Sequence, residues 1–164
     1  MYYYLILSNN ITGDNMINNI MSKDIIFGDE KSSISEIAKL MKIHNIGFIP
    51  IKSKKSIIGV ITDRDICLAC ESINTTKSPV LPFITKNIIC VDINESISSA
   101  LKLMSKYKIK RLLVKKKDNI VGILSLSDIL SYDISSELVN TYKSIFYIHN
   151  NEKAENVEID SFYL

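Results

Sequence analysis

Ile34, Ile37, Ala38, Leu40 and Met41 fall on one face of a 3.6-residue period, and 63 residues further on Ile97, Ala100, Leu101, Leu103 and Met104 do the same. Each run starts behind a hydroxyl suited to an N-cap: Ser33, with Glu36 placed three residues later for a capping box, and Ser96. Asn45 to Gly47 ends the first helix. Two β-rich runs follow, Phe48 to Ile51 and Ile57 to Ile61, joined by a polar turn over 52–56. Asp63 and Asp65 then open a second helix through Ile66, Leu68 and Ala69. Before the first helix, Ile25 to Phe27 reads as a short strand, and residues 16–21 as a helical lead-in.

The same order returns in the second half. A strand over 88–91 precedes the helix that starts at Ser96. A hairpin pairs 112–114 with 120–124 across a turn at 115–119, and Ser125 to Asp128 open the last helix of the unit. Residues 17–67 and 80–130 align without a gap, and 17 of the 51 pairs are identical. Each unit is therefore β-α-β-β-α. A unit of about 50 residues buries too little surface to stand alone, so two copies are expected to pack side by side, sheet against sheet. The expected boundaries are 16–71 for the first unit, 72–79 for a linker and 80–131 for the second. A C-terminal helix at 132–148 carries Ile134, Leu138, Val139, Tyr142 and Ile145, and 149–164 is a polar tail. Residues 1–15 fall outside the repeat, and that boundary suggests a start at Met16.

Composition narrows the function. Charged residues are 23% and the net charge is +2, which makes no electrostatic case for nucleic acid. Three cysteines without a secretory leader suggest a reducing, cytoplasmic setting. No apolar run approaches the roughly 20 residues of a membrane span. Five glycines do not build a phosphate loop, and no Ser-His-Asp arrangement is visible, so no catalytic residue, resident cofactor or metal site is expected. Cys67 and Cys70 have redox or zinc spacing, but they fall within a helix and lack a second ligand pair, and we read them as structural. The lysines at 115–117 read as a solvated turn.

The repeat preserves residues that a core would not select. Thr62 and Ser125 each come just after a strand, and Asp65 and Asp128 each lie three residues later in a first helical turn. Such a helix start suits anions, and a neighbouring carboxylate can accept both hydroxyls of a ribose. Plain N-capping would use the same residue types. Recurrence at one offset favours function.

With Gly59 to Ile66 answered by Gly122 to Ile129, Ile46 to Ile51 answered by Lys110 to Val114, and the lead-in Met21 to Ile26, both units resemble cystathionine β-synthase (CBS) domains. The pair resembles a Bateman module, over residues 16–131, 116 of the 164. The resemblance implies an α/β fold around a pseudo-two-fold axis, a homodimer of modules, and two clefts for adenosyl ligands: AMP, ADP, ATP or S-adenosylmethionine. It matches the ribose-binding carboxylates to Asp65 and Asp128, and the preceding hydroxyls to Thr62 and Ser125. It matches the adenine slots to Ile88 and Ile89 for the Asp65 cleft, and to Ile25 and Ile26 for the Asp128 cleft. Lys110 and Arg111 match phosphate ligands, and Arg64 and Ser127 stand within reach. Arg111 is expected in the Asp128 cleft.

The chain also departs from the pattern. Gly47 and Phe48 stand where the second copy has Lys110 and Arg111, and Leu113 replaces a usual proline. The phosphate ligands are thus asymmetric. The implied function is a regulatory ligand sensor, not an enzyme, that signals to a separate, unidentified partner protein. The alternative is a dimer with vacant clefts that acts through protein contact alone.

Overall fold

The computed structural model describes residues 17–72, 77–132 and 136–151. The N-terminal extension, Met16, residues 73–76 of the linker, Ile134, and 152–164 of the tail lie outside the described residues. The described chain forms two three-stranded sheets and five α-helices. In the first repeat β1 (Gly28–Asp29) runs parallel to β2 (Phe48–Ser53), and β2 pairs antiparallel with β3 (Ser56–Thr62). The parallel step needs a crossover, and α1 (Ile34–His44) supplies it. Helix α2 (Asp63–Ser72) follows β3 directly. The second repeat has the same plan: β4 (Cys90–Asp92), α3 (Ile97–Tyr107), β5 (Arg111–Lys116), β6 (Asn119–Ser125) and α4 (Leu126–Tyr132), with sheet order β4-β5-β6.

Local chemistry explains the helix ends. Glu36 N–H donates to Ser33 Oγ at 3.3 Å, and Ser33 N–H donates to Glu36 Oε2 at 2.7 Å, completing the expected capping box. Those bonds, the backbone one first, hold the Glu36 carboxyl below its ordinary pKa against a small opposing effect of burial. Asn45 (φ 51°) and Lys108 (φ 55°) close α1 and α3 in the left-handed region. Asparagine favours that conformation and lysine does not. Lys108 adopts it because the repeat geometry does, as Lys54 and Lys117 also do in the two hairpin turns.

The edge strands lie further along the chain than the periodicity predicts. β1 starts at Gly28, not Ile25, and β4 starts at Cys90, not Ile88. Ahead of them, one polar residue of each lead-in pairs with the other repeat. Ser22 bridges antiparallel to Ile123 in β6, with N–H···O bonds of 2.9 Å in both directions. Thr85 bridges to Val60 in β3 through bonds of 2.8 and 2.9 Å. Each repeat thus sends its lead-in onto the sheet of the other. These bridges join the units.

The cores record the same exchange. Ile17, in a 3₁₀ turn at the start of the first repeat, and Met21 just after it pack with Val91, Leu101, Met104, Leu112 and Leu124 of the second. Val80, with Phe83 and Ile84 against it, packs with Ile37, Ile49, Ile51 and Ile61 of the first. A compensating pair shows how tightly the cores are filled. A Cβ on Gly28 would stand 2.5 Å from Ile37 Cδ1, and the second repeat has Val91 and Ala100 at those two positions.

Helix α5 (Ser136–Asn151) has no counterpart in the first repeat. It packs along α3, burying Leu138 and Ile145, and the Ser105 and Ser144 hydroxyls meet at 2.8 Å.

The bridges explain why glycine recurs in the repeat. A Cβ on Gly59 would come within 2.9 Å of the Thr85 carbonyl oxygen, and one on Gly122 within 2.9 Å of that of Ser22. Neither backbone oxygen can retreat without breaking its bridge. Gly59→Ala and Gly122→Ala should each lower the unfolding free energy by about 1–3 kcal/mol, the usual cost of overpacking. Urea denaturation measures it, and wild-type stability in both variants would contradict the bridging role.

Candidate functional site

Strand β3 passes into α2 at Thr62, and the first turn closes on itself. Asp65 N–H donates to Thr62 Oγ1 at 3.2 Å. Asp65 Oδ2 accepts from both the Thr62 N–H and the Thr62 hydroxyl, each at 2.8 Å. The arrangement is a capping box with aspartate in place of glutamate. The second repeat repeats it in part: Asp128 N–H donates to Ser125 Oγ at 3.1 Å, and Ser125 N–H to Asp128 Oδ2 at 2.8 Å. There the Ser125 hydroxyl pairs with that of Ser127, 2.8 Å away. Capping is therefore a real function of these residues. It occupies Oδ2 of Asp65 and leaves Oδ1 outside the box.

Above the start of α2 lies a cavity of about 330 Å³, within the usual range of small-molecule sites. Thr62, Arg64 and Asp65 of the first repeat line it together with Ile88, Ile89, Lys110 and Arg111 of the second. Seven of the twelve expected site residues thus meet in one place. The bridge at Thr85 sets this geometry, because it lays the following residues, Ile88 and Ile89, beside α2. Lys110 and Arg111 arrive where β5 begins. The walls differ in chemistry: half-buried isoleucines, two carboxylates, and four cationic side chains. A flat apolar group fits the first, a diol the second and an anion the third.

The sequence placed Arg111 with Asp128, and the structure brings it into one cavity with Asp65. Sequence reasoning missed Phe48, Asp63 and Lys108, which line the same cavity. Phe48 was legible in principle, because it pairs with Thr62 in β2/β3 as Arg111 pairs with Ser125 in β5/β6. Asp63 explains one asymmetry of the repeat: a Cβ on Gly47 would stand 2.5 Å from its Oδ2, whereas the equivalent pair is Lys110 and Leu126. Lys108 reaches the cavity through its left-handed backbone, which its residue type does not announce.

A second cavity lies beside the start of α4. Ser125 and Ser127 line a smaller cavity of about 170 Å³ with Lys110 and Arg111. Its remaining walls are Leu126, Leu130 and two residues of α5, Tyr142 and Phe146. Asp128, Ile25 and Ile26 line neither cavity. The rings of Tyr142 and Phe146 stack with centroids 4.2 Å apart, and Lys110 Nζ stands 4.1 Å from the Phe146 centroid. The docking of α5 on α3 brings these rings to the start of β5. A 3.6-residue period identifies a helix but not the surface it covers.

Cys67 and Cys70 stand exposed on α2, so core packing does not account for them. Cys90 is half-buried, and burial raises its thiol pKa, with Lys115 pulling weakly the other way. Among the described residues, no three or more His, Cys, Asp and Glu side chains gather as a metal site, and no helix is long and apolar enough to cross a membrane.

Comparison with known proteins agrees with this architecture. A family profile, the CBS domain, matches residues 17–72 and 80–135. The CBS domain-containing protein YhcV of Bacillus subtilis (strain 168) is 30% identical over 122 residues, covering 74% of this chain and 87% of that protein. Among solved structures, the CBS domain pair of protein MJ0100, in complex with 5-methylthioadenosine and S-adenosyl-L-methionine, superposes with a TM-score of 0.64 at 30% identity, over 71% of this chain and 93% of that one. An uncharacterized conserved protein from Pyrococcus horikoshii gives 0.67 at 26% identity, over 74% and 95%.

The capping geometry can be measured on its own. Thr62→Ala removes the Oγ1 acceptor for Asp65 N–H and should lower the unfolding free energy by about 0.5–2 kcal/mol without ligand. Chemical denaturation reads this, and an unchanged midpoint would contradict the cap.

Proposed function

This chain belongs to the CBS-domain family, and from that membership we propose that it is a regulatory module that binds an adenosyl ligand between its repeats and passes the bound state to a separate protein. The observation that carries the reading is the cavity above α2, in which Thr62, Arg64 and Asp65 face Ile88, Ile89, Lys110 and Arg111. Adenine lies against Ile88 and Ile89, Asp65 accepts the ribose hydroxyls, and Arg64, Lys110 and Arg111 take the phosphates. The solved relative that holds 5-methylthioadenosine and S-adenosyl-L-methionine supports an adenosyl ligand as the class. AMP, ADP, ATP and S-adenosylmethionine all belong to it.

The role is regulatory, not catalytic, and the setting cytoplasmic. Ligand binding biases the module by no more than the difference in affinity between its two states. Ile43 on α1 and Leu68 on α2, 63% and 58% exposed, support pairing with a second copy. Because the cavity unites seven of the expected residues, we take the Asp65 cleft as the principal site.

One observation favours the vacant, protein-binding alternative. The capping box satisfies Thr62 and Asp65 without any ligand. A thermal-shift panel of AMP, ADP, ATP, S-adenosylmethionine and NADH separates the two readings. A ligand at 100 times its dissociation constant adds about 2.7 kcal/mol. We expect a shift with at least one adenosyl ligand, lost in Asp65→Ala and kept in Asp128→Ala. Each variant is compared with its own ligand-free melt, because Asp65→Ala also weakens the cap. No shift with any ligand would support vacant clefts.

A further inference from the structure

Lys110 stands on the wall shared by the two cavities. It lines the cleft that holds Asp65 and also the smaller cavity beneath α5. Phe146 lines only the smaller one, and Lys110 Nζ lies 4.1 Å from its ring centroid. The ammonium is thus engaged on α5 while its residue borders the ligand cleft. Phe146 is braced in turn by its stack on Tyr142.

An ammonium over an aromatic face gains an attraction equivalent to about a two- to fivefold change in an equilibrium constant. A phosphate oxygen is a stronger, charge-assisted partner. The ring lines only the smaller cavity, so an ammonium drawn to a phosphate in the Asp65 cleft leaves it.

We infer that Lys110 couples ligand occupancy to the C-terminal helix: an anionic adenosyl ligand in the Asp65 cleft draws the ammonium off Phe146 and loosens α5 from α3. The inference rests on the proposed ligand reading and deepens it by naming the element that changes. Coupling is reciprocal, so the docked helix weakens binding of the anionic ligand by the same factor. An uncharged adenosyl compound fills the cleft without moving α5. Phe146 acts here as a positioning residue, through Lys110.

Hydrogen exchange of the α5 amides in the full chain tests this, with ADP and uncharged adenosine as probes. Without ligand, Lys110→Met and Phe146→Leu should speed α5 exchange about two- to fivefold, whereas Phe146→Tyr keeps the ring and the wild-type rate. ADP should speed α5 exchange in the wild type by a similar factor and add nothing in Lys110→Met, and adenosine should leave it unchanged. ADP that binds yet slows α5 exchange or leaves it unaltered overturns the inference, as does a Lys110→Met variant with wild-type exchange. If ADP fails to bind while Lys110→Met still loosens α5, the ligand reading falls, and Lys110 remains only a clamp on the helix.

Discussion

Two reciprocal bridges hold this molecule in its functional shape. Ser22 pairs with Ile123, and Thr85 with Val60, so that each repeat completes the sheet of the other. The bonds themselves contribute modestly, about 0.5–1.5 kcal/mol each. Their larger effect is positional. They commit Ile17 and Met21 to the second core and Val80 to the first, so neither repeat has a full core without its neighbour. They also require a bare backbone at Gly59 and Gly122, where any side chain would meet the incoming carbonyl.

The candidate site follows from the same constraint. Thr85 is fixed on β3, so Ile88 and Ile89 must pass beside the first turn of α2, and the cleft becomes a seam between repeats. A ligand there touches both units. Its binding energy depends on their relative placement, which is the physical requirement for a sensor. In the proposed function Asp65 serves two roles: one carboxylate oxygen closes the helix cap, and the other, outside the box, accepts the ribose hydroxyls. A cap that orders the carboxylate before ligand arrives lowers the entropy cost of binding.

Much of this was legible in the sequence. The 63-residue offset gave both repeats, the Ser33 capping box marked the start of α1, and the hairpins fell where the β-branched runs placed them. The pairing of Asp65 with Thr62 was visible as spacing. The exchanged lead-ins were not. Ile25 to Phe27 has the composition of a strand, but one residue of the segment, Ser22, pairs with the neighbour, and the chain reaches its own sheet only at Gly28. Local pattern carries no record of which sheet an extended segment will join. The role of α5 was hidden for a similar reason. Its apolar spacing was clear, but Ser105 and the core beneath α3 decide where Tyr142 and Phe146 come to rest. A helix present only once adds Tyr142 and Phe146 beside Ser125 and Ser127, which the repeat symmetry does not announce.

A crystal structure of the protein grown with ADP tests the account most directly. The account predicts one nucleotide per chain, with adenine against Ile88 and Ile89, ribose hydroxyls on Asp65, and phosphates among Arg64, Lys110 and Arg111. An empty seam at saturating ADP, or a nucleotide bound away from Asp65, would contradict it.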